Sequence, residues 1–202
     1  PGFSAGLPSL GKVGFNEGPR LAQFNPGGTD VSVVQDLMIH DIDIVLSVVR
    51  SKVRKIHANG VAIVSETPDI CNARIEFENG CVANLTASRI SMKNMRKMRF
   101  FQKDAYVSVD FLEKQAEILR LSDIEGEPDP FSPVLDLGPD KPKKQIWFNK
   151  PDISEVNAIK EELLSFHKAA TTGQEPPVTA FDGLRAVETA ALISEKIKAV
   201  VS

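Results

Sequence analysis

Two carboxylates and an imidazole recur at helical spacing in the run Asp36-Leu-Met-Ile-His40-Asp-Ile-Asp43. At 3.6 residues per turn, Asp36, His40 and Asp43 share one polar stripe with Ser47 and Arg50. An aspartate one turn before a histidine can orient the imidazole and stabilise its protonated form, which makes His40 a candidate general base. Two other interpretations stay open. Asp36 and His40 could simply satisfy each other and nearby backbone, or Asp36, His40 and Asp43 could hold a divalent metal, although they supply few ligands.

The helix that would carry this stripe lies in an apolar segment from Val31 to Val49. Ser32 is followed three residues later by Gln35, the spacing of a capping box, so we expect the helix to run from about Ser32 to Arg50. The apolar positions opposite the stripe predict that the helix is buried and that the stripe lines a cleft or a partner surface. These positions are Met38, Ile42, Val45 and Val49. Asp41 falls on the apolar flank and is predicted to be a structural hydrogen-bonding residue.

The rest of the chain predicts mostly strands, because its hydrophobic period is 2 from Lys52 onward. A first strand is expected before the helix, broken by Gly18-Pro19, and Asn59-Gly60 suggests a bulge or turn inside the second. The expected strands are 12–24, 53–65, 71–77, 81–89, 97–102, 105–111, 115–121 and 144–149. A proline-rich loop is expected over 126–142. Helices are expected over 155–171, capped by Ser154, and over 181–200, which completes an α+β pattern.

One hairpin is specified in detail. A three-residue Glu78-Asn79-Gly80 loop with Gly80 left-handed keeps the apolar residues of both strands on one face, which a two-residue loop would not. In that register Cys71 faces Ala87 and Cys81 faces Phe77. The two thiols are therefore not opposed.

Composition narrows the class of protein. The chain has 202 residues, 42% hydrophobic content and a formal charge of -3, which suits a globular domain and argues against a nucleic-acid binder. No apolar run approaches the roughly 20 residues that span a bilayer, so a cytoplasmic location and no membrane partner are expected. Two cysteines give neither a disulfide framework nor a zinc site. Residues 1–10 are rich in Gly, Pro and Ser and are interpreted as a residual linker from a missing N-terminal domain, with 11–202 as one domain. Because the chain opens with Pro1 and not with a methionine, its N-terminus is expected to be a processed, trimmed or engineered end.

Basic residues cluster between positions 89 and 103. Such a run can bind an anionic substrate such as a sugar nucleotide, although a solvated strand face is the commoner explanation. The run contains Arg89, Lys93, Arg96, Lys97, Arg99 and Lys103, with Met92, Met95 and Met98 interpreted as packing residues. No G-x-G-x-x-G turn and no P-loop occur in the sequence. Any dinucleotide cofactor must therefore be held mainly by another segment.

The run from Gly28 to Asp43 resembles the D-x-x-x-H-D-x-D signature of the glucose-fructose oxidoreductase, inositol dehydrogenase and rhizopine-catabolism (Gfo/Idh/MocA) family. Supporting segments are Phe77-Glu-Asn-Gly80 before a strand ending in Ala87-Ser-Arg89, and 157–166 leading through Pro176-Pro177 to Phe181-Asp-Gly-Leu184. Asp140-Lys-Pro142 imitates the family's catalytic E-K-P turn, but it lies in the proline-rich loop and is rejected as chance.

The resemblance implies an open, predominantly antiparallel sheet with helices on one face, which binds substrate and mediates oligomerisation. It implies that a Rossmann domain binding NAD or NADP is absent from this chain, and that a homodimer or homotetramer forms through the sheet face. Asp36 and His40 would be catalytic, with His40 removing the hydroxyl proton of a sugar, sugar nucleotide or cyclitol. The implied substrate-binding residues are Arg20, Asp43, Arg89 and Arg96. Arg20 and the loop 24–30 resemble members acting on UDP-N-acetylhexosamines.

Two alternatives remain at this stage. The chain could be a non-catalytic domain that binds a ligand or partner through its sheet, or a metal-dependent lyase or hydrolase. Fold analogy alone does not fix the substrate. It also does not decide between NAD and NADP.

Overall fold

The computed structural model of the protein describes residues 13–124, 126–139, 141–153 and 157–201. The expected linker over 1–10 and the expected helix cap at Ser154 lie outside these ranges. The described chain forms one sheet of nine strands with helices before and after its long antiparallel part.

The strands are β1 Phe15–Leu21, β2 Val53–Val61, β3 Ile70–Phe77, β4 Val82–Ser88, β5 Met95–Phe101, β6 Ala105–Asp110, β7 Gln115–Asp123, β8 Val134–Leu135 and β9 Lys144–Asn149. The helices are a 3₁₀ turn at Pro26–Gly28, a π-helical turn at Val34–Met38, α1 Ile39–Val49, α2 Ala158–Thr172 and α3 Ala180–Val201. The spatial order of the strands is β2-β3-β4-β1-β5-β6-β7-β9-β8. Only β1 and β4 pair in parallel within the described sheet, so the predicted open, mostly antiparallel α+β fold is confirmed.

The core lies between one face of the sheet and the helices. Strand residues on this face alternate with exposed or half-buried ones, as period 2 requires. The predicted apolar side of α1 is fully or almost fully buried, and α3 packs on α1 and β2 through Ala186, Ala190, Ile193 and Ile197. The buried positions on α1 and the preceding turn are Val34, Met38, Ile42, Val45, Leu46 and Val49.

The predicted β3–β4 hairpin is confirmed. Gly80 has φ +86°, its amide donates to the carbonyl of Phe77, and the amide of Phe77 donates to the carbonyl of Cys81. Cys71 pairs with Ala87, so the register is the predicted one. Both thiols are free and buried.

The prediction that Gly18-Pro19 breaks the first strand is wrong. β1 runs through both residues and pairs with β4 at each of them, while its pairing with β5 skips from Glu17 to Arg20. Proline lacks an N–H, so this interruption on one side is the form in which a strand accommodates it.

The expected bulge or turn at Asn59-Gly60 is also not found. Both residues pair regularly with β3, and the irregular register lies instead between Val53 and Lys55. A Cβ on Gly60 would lie 3.0 Å from Ile197 of α3, so the glycine permits a close helix–strand approach. β2 ends at Val61, short of the expected position 65.

Several other boundaries differ from the predictions. α2 begins at Ala158, where the Asn157 side chain accepts a hydrogen bond from the amide of Lys160 at 3.1 Å. The expected proline-rich loop contains the short strand β8, which pairs with β9. Met98 is buried, as expected of a packing residue, but Met92 is 90% exposed. None of the described helices is both long enough and apolar enough to cross a bilayer.

Candidate active site

The segment carrying the candidate catalytic residues does not begin as an α-helix. The amide of Ile39 donates to the carbonyl of Val34, five residues earlier, which defines a π-helical turn over Val34–Met38 before α1. Such single turns are rare, and they occur frequently at functional sites. The predicted capping box does not form, since the buried hydroxyl of Ser32 has no hydrogen-bond partner among the described residues. Arg50, with φ +47°, ends the helix near the predicted position.

Asp36 lies in the π-helical turn and His40 in the first turn of α1, and both residues are exposed. Within the described part of the chain, neither side chain makes a hydrogen bond, so Asp36 does not contact the imidazole directly. The π-helical turn alters the i to i+4 relation from which the sequence predicted that contact. That Asp36 orients His40 stays a prediction. Neither imidazole nitrogen has a hydrogen-bond partner in the part of the chain that the structure describes, so the ring can exchange a proton with a ligand.

A glycine-rich loop borders Asp36. The Asn25 side chain accepts a hydrogen bond from the amide of Gly27 at 3.1 Å and caps the 3₁₀ turn Pro26–Gly28. A Cβ on Gly28 would lie 3.8 Å from Oδ2 of Asp36, so the loop backbone passes next to this carboxylate. The loop and the polar stripe of α1 therefore meet at one edge of the site.

A buried ion pair anchors α1 to β1 beside His40. Nε and Nη2 of Arg20 donate to the two carboxylate oxygens of Asp41 at 2.9 and 2.6 Å, and both side chains are almost completely buried. Burial raises the pKa of Asp41, and the hydrogen bond and charge of Arg20 oppose that rise. The structural hydrogen-bonding role predicted for Asp41 is confirmed. The predicted contact of Arg20 with substrate stays a prediction, because two of its nitrogens are engaged by Asp41.

Arg96 is the cross-strand neighbour of Arg20 in the β1–β5 pairing. Its side chain is exposed and has no hydrogen bond or ion pair among the described residues, yet its charge acts on Asp41 to lower that residue's pKa. The charge of Arg20 is matched by Asp41, whereas the charge of Arg96 is available to an anion.

Asp43 is half-buried one turn beyond His40. Burial raises its pKa, the charge of Asp182 raises it further, and His40 opposes both effects. Asp182 lies in the first turn of α3, where its carboxylate accepts hydrogen bonds from the amide and hydroxyl of Thr179 at 3.0 and 2.7 Å. Asp182 was not among the site residues predicted from the sequence, although the Thr179-x-x-Asp182 spacing marks a helix start.

Arg89 lies apart from this group of exposed side chains. It is 4% exposed, and its guanidinium donates to the backbone carbonyls of Gly28 and Val31. The structure thus brings Asp36, His40 and Asp43 to one surface, with Arg96 near it, and places Arg20 and Arg89 in the interior. Across the described residues, no three His, Cys, Asp or Glu side chains come together as a group that could hold a metal ion.

The fold and these residues define an α+β domain with an open sheet whose central helix presents an Asp–His pair. Residues 14–107 match the family model described as GFO/IDH/MocA C-terminal domain. The resemblance to this family that the sequence indicates is therefore confirmed over these residues.

Three known proteins illustrate the match. UDP-N-acetylglucosamine 3-dehydrogenase from Acidithiobacillus ferrooxidans is 42% identical over 109 residues, which are 54% of this chain and 35% of that protein. Its solved structure superposes with a TM-score of 0.80 at 29% identity and covers 95% of this chain and 56% of the other. The uncharacterized oxidoreductase YrbE from Bacillus subtilis is 27% identical over 188 residues, 90% of this chain and 50% of YrbE. A levoglucosan dehydrogenase in complex with NADH and L-sorbose shares the fold, with a TM-score of 0.71 at 14% identity, covering 94% of this chain and 57% of that one.

The chain therefore spans between about a third and a half of the curated relatives it matches.

Proposed function

We propose that this chain is the substrate half of an NAD(P)-dependent oxidoreductase acting on a sugar, sugar nucleotide or cyclitol. The observation that carries the proposal is the exposed imidazole of His40, which has no hydrogen-bond partner among the described residues and lies one turn after Asp36 on the helix that matches the family's signature. An imidazole titrates near neutral pH and can accept the proton that a hydroxyl loses when it is oxidised.

The described residues do not fit a dinucleotide. A dinucleotide-binding unit needs consecutive parallel strands joined through a helix with a glycine-rich turn. Here β1 leads through α1 into β2, and β1 pairs in parallel only with β4. Hydride acceptance is the chemistry that NAD(P) supplies when bound, and we assign its binding to an N-terminal domain outside this chain.

The exposed helix α2 supports the presence of such an N-terminal domain, because it offers a surface on which that domain can dock. α2 has no buried residue, although Ile159, Leu163 and Phe166 form a stripe at helical spacing. These three side chains are 71%, 64% and 71% exposed. A cluster of exposed large apolar side chains marks an interaction surface. We assign the stripe to contact with the chain's own Rossmann domain.

Within the chain, each residue of the site has a distinct role in this proposal. His40 takes or returns the hydroxyl proton, and Asp36 stabilises the imidazolium that forms. Asp43 accepts hydrogen bonds from substrate hydroxyls. The pair Arg20–Asp41 holds the helix in place from behind.

A sugar nucleotide is the substrate class we favour. Arg96 offers an exposed cation without a partner among the described residues, and the dehydrogenase that is 42% identical over 109 residues acts, by its name, on UDP-N-acetylglucosamine. Arginine suits the diphosphate of such a substrate because its planar fork can contact two oxygens at once.

Besides substrate, the partner we propose is a second copy of this chain, bound through the open face of the sheet. Direct register partners across five strands place Phe15, Phe101, Tyr106, Leu119 and Phe148 in one row on the face away from the helices. Ring centroids of Phe15 and Phe101 lie 5.7 Å apart, those of Phe101 and Tyr106 5.0 Å apart, and Phe148 is 65% exposed. A homodimer or homotetramer would bury this row.

The first test uses the native protein from its source. The mass of the native chain should correspond to about two ordinary domains. The absorbance spectrum of anything released on denaturation should be that of a nicotinamide cofactor. A native chain of only this length that releases no nicotinamide would instead favour the alternative of a non-catalytic binding domain.

The second test concerns the substrate class. In the full-length protein, Arg96→Met should raise KM for UDP-N-acetylglucosamine at least about tenfold, the loss of one charge-assisted contact of about 1.4 kcal/mol or more, and should leave KM for a neutral sugar unchanged. Arg99→Met is the matched control, because Arg99 lies on the opposite face of β5, where it pairs with Glu17 at 3.3 Å. Equal effects of the two variants would refute the role of Arg96.

A further inference from the structure

Arg89 is a buried cation whose hydrogen bonds go to the site loop. It follows β4 directly, is 4% exposed, and donates through Nη1 to the carbonyl of Gly28 and through Nη2 to the carbonyl of Val31. Both acceptors belong to the short segment that links the 3₁₀ turn to the helix carrying Asp36 and His40. A planar guanidinium donates to the two carbonyls from two separate nitrogens held in a rigid fork, whereas an ammonium presents its donors from a single nitrogen on a flexible stem.

Asp69 supplies the countercharge for Arg89. It is fully buried, with its Oδ1 3.8 Å from Nε of Arg89, and the amide of Arg89 donates to its carbonyl at 3.0 Å. Burial alone would raise the pKa of Asp69, but hydrogen bonds from the Ser65 hydroxyl and from the backbone amides of Ile63, Val64 and Ser65 lower it well below its usual range. The carboxylate is therefore charged and rigidly held.

The turn organised by Asp69 makes further contacts to the same loop. The Thr67 hydroxyl lies 3.5 and 3.4 Å from the carbonyls of Thr29 and Val31, and the amide of Val33 donates to the carbonyl of Pro68 at 3.1 Å. The C-terminal part of the loop, from Gly28 to Val31, is thus attached to the turn before β3 and to the residue after β4, close to where its backbone passes Asp36.

We propose that Arg89, held by Asp69, is a positioning residue that fixes the loop 25–31 as one wall of the substrate site. The side chain of Asp36 makes no hydrogen bond within the described chain, so the placement of its carboxylate depends on the backbone around it. Arg89 acts on Asp36 and on the bound substrate only through this loop. The catalytic consequence rests on the proposed function, whereas the ordering of the loop does not.

The test uses Arg89→Lys in the full-length protein, since lysine keeps the charge beside Asp69 but lacks the rigid pair of nitrogens that holds the two carbonyls. Hydrogen exchange measured by mass spectrometry should become at least about tenfold faster over residues 24–34, because losing one hydrogen bond from a charged group is equivalent to a factor of about ten or more. Exchange over α1 and the sheet should not change. Arg54→Lys is the matched control, because Arg54 on β2 is 65% exposed and pairs with Glu76 on β3. It should leave both regions unchanged.

A second variant keeps the test decisive if Arg89→Lys folds poorly. Thr67→Val removes only the hydroxyl that contacts the loop carbonyls, and it should accelerate exchange in the same residues to a smaller extent. Unchanged exchange over 24–34, or acceleration spread evenly over the domain, overturns the proposal.

Kinetics separate this inference from the proposed function. In an active full-length enzyme, Arg89→Lys should raise KM for the sugar nucleotide at least about tenfold, on the same count of lost hydrogen bonds, with a smaller change in kcat. An unchanged KM together with faster loop exchange would remove the substrate role of the loop. If the wild-type protein oxidises no sugar substrate but Arg89→Lys still accelerates exchange over residues 24–34, the proposed function fails. The inference that Arg89 fixes the loop 25–31 then still holds.

Discussion

Breaking the buried pair between Arg20 and Asp41 should destabilise the chain more than breaking any exposed pair. The Arg20→Met variant leaves a carboxylate whose side chain is only 4% exposed without its bidentate partner. Removing one member of a buried ion pair costs about 3–5 kcal/mol. We expect the lower end of this range, because the charge of Arg96 already acts on Asp41 and can partly replace the lost charge.

Urea unfolding followed by circular dichroism gives the free energy of unfolding of each variant. A double-mutant cycle of Arg20→Met and Asp41→Asn should return a coupling energy of at least about 2 kcal/mol, since the double variant no longer buries an unpaired charge. The pair Arg54–Glu76 is the control. Arg54 is 65% exposed, so the corresponding cycle should return less than about 1 kcal/mol. Coupling energies of similar size in the two cycles would refute the reasoning.

Three further predictions concern single residues. Burial raises the pKa of Cys71 to about 12, so a thiol reagent at mildly alkaline pH should label it only after denaturation, and rapid labelling of the native protein would contradict its burial. The pKa of Asp43 is raised by burial and by Asp182, so the folded state binds this proton more tightly, and the stability that the protonated group gives is lost as the pH rises above its ordinary value of 3.8. Asp43→Asn should therefore raise the melting temperature at neutral pH and have no such effect below that value, whereas a uniform shift at all pH values would contradict the assignment. Gly60→Ala should lower the free energy of unfolding in urea by about 1–3 kcal/mol, because the added Cβ would clash with α3. Gly183→Ala, with nothing within 4 Å of the added Cβ, should leave this free energy unchanged or raise it by up to about 1 kcal/mol. Equal effects of the two variants would argue against the close approach of α3 to Gly60.

Local patterns were sufficient where the cause of a structure lies in neighbouring residues. The left-handed Gly80 and the register of its hairpin follow from turn chemistry and alternation within 71–89. The buried side of α1 follows from its 3.6-residue period. The family signature carried the prediction of the sheet and of the site, because its residues recur at fixed spacing along one helix.

The features that could not be predicted depend on residues far apart in the sequence or on very small differences in backbone geometry. Gly60 is a glycine because of Ile197 on another element, which no window around Asn59-Gly60 contains. Arg89 belongs to a basic run, yet its acceptors are carbonyls about sixty residues earlier in the chain, so its burial could not be predicted from the run. The π-helical turn differs from an α-helical one by a single residue in its hydrogen-bond spacing, which hydrophobic periodicity does not resolve.

The most direct test of the central claim is the turnover of the full-length protein with His40 replaced. His40→Ala should lower kcat for the sugar substrate with NAD(P) at least about 100-fold, the lower limit for losing a general base. His57→Ala is the matched control, because His57 is an exposed histidine on β2 that takes no part in the site. It should leave turnover unchanged. Turnover of His40→Ala equal to that of the control would contradict the assignment of this chain as the half that carries the base.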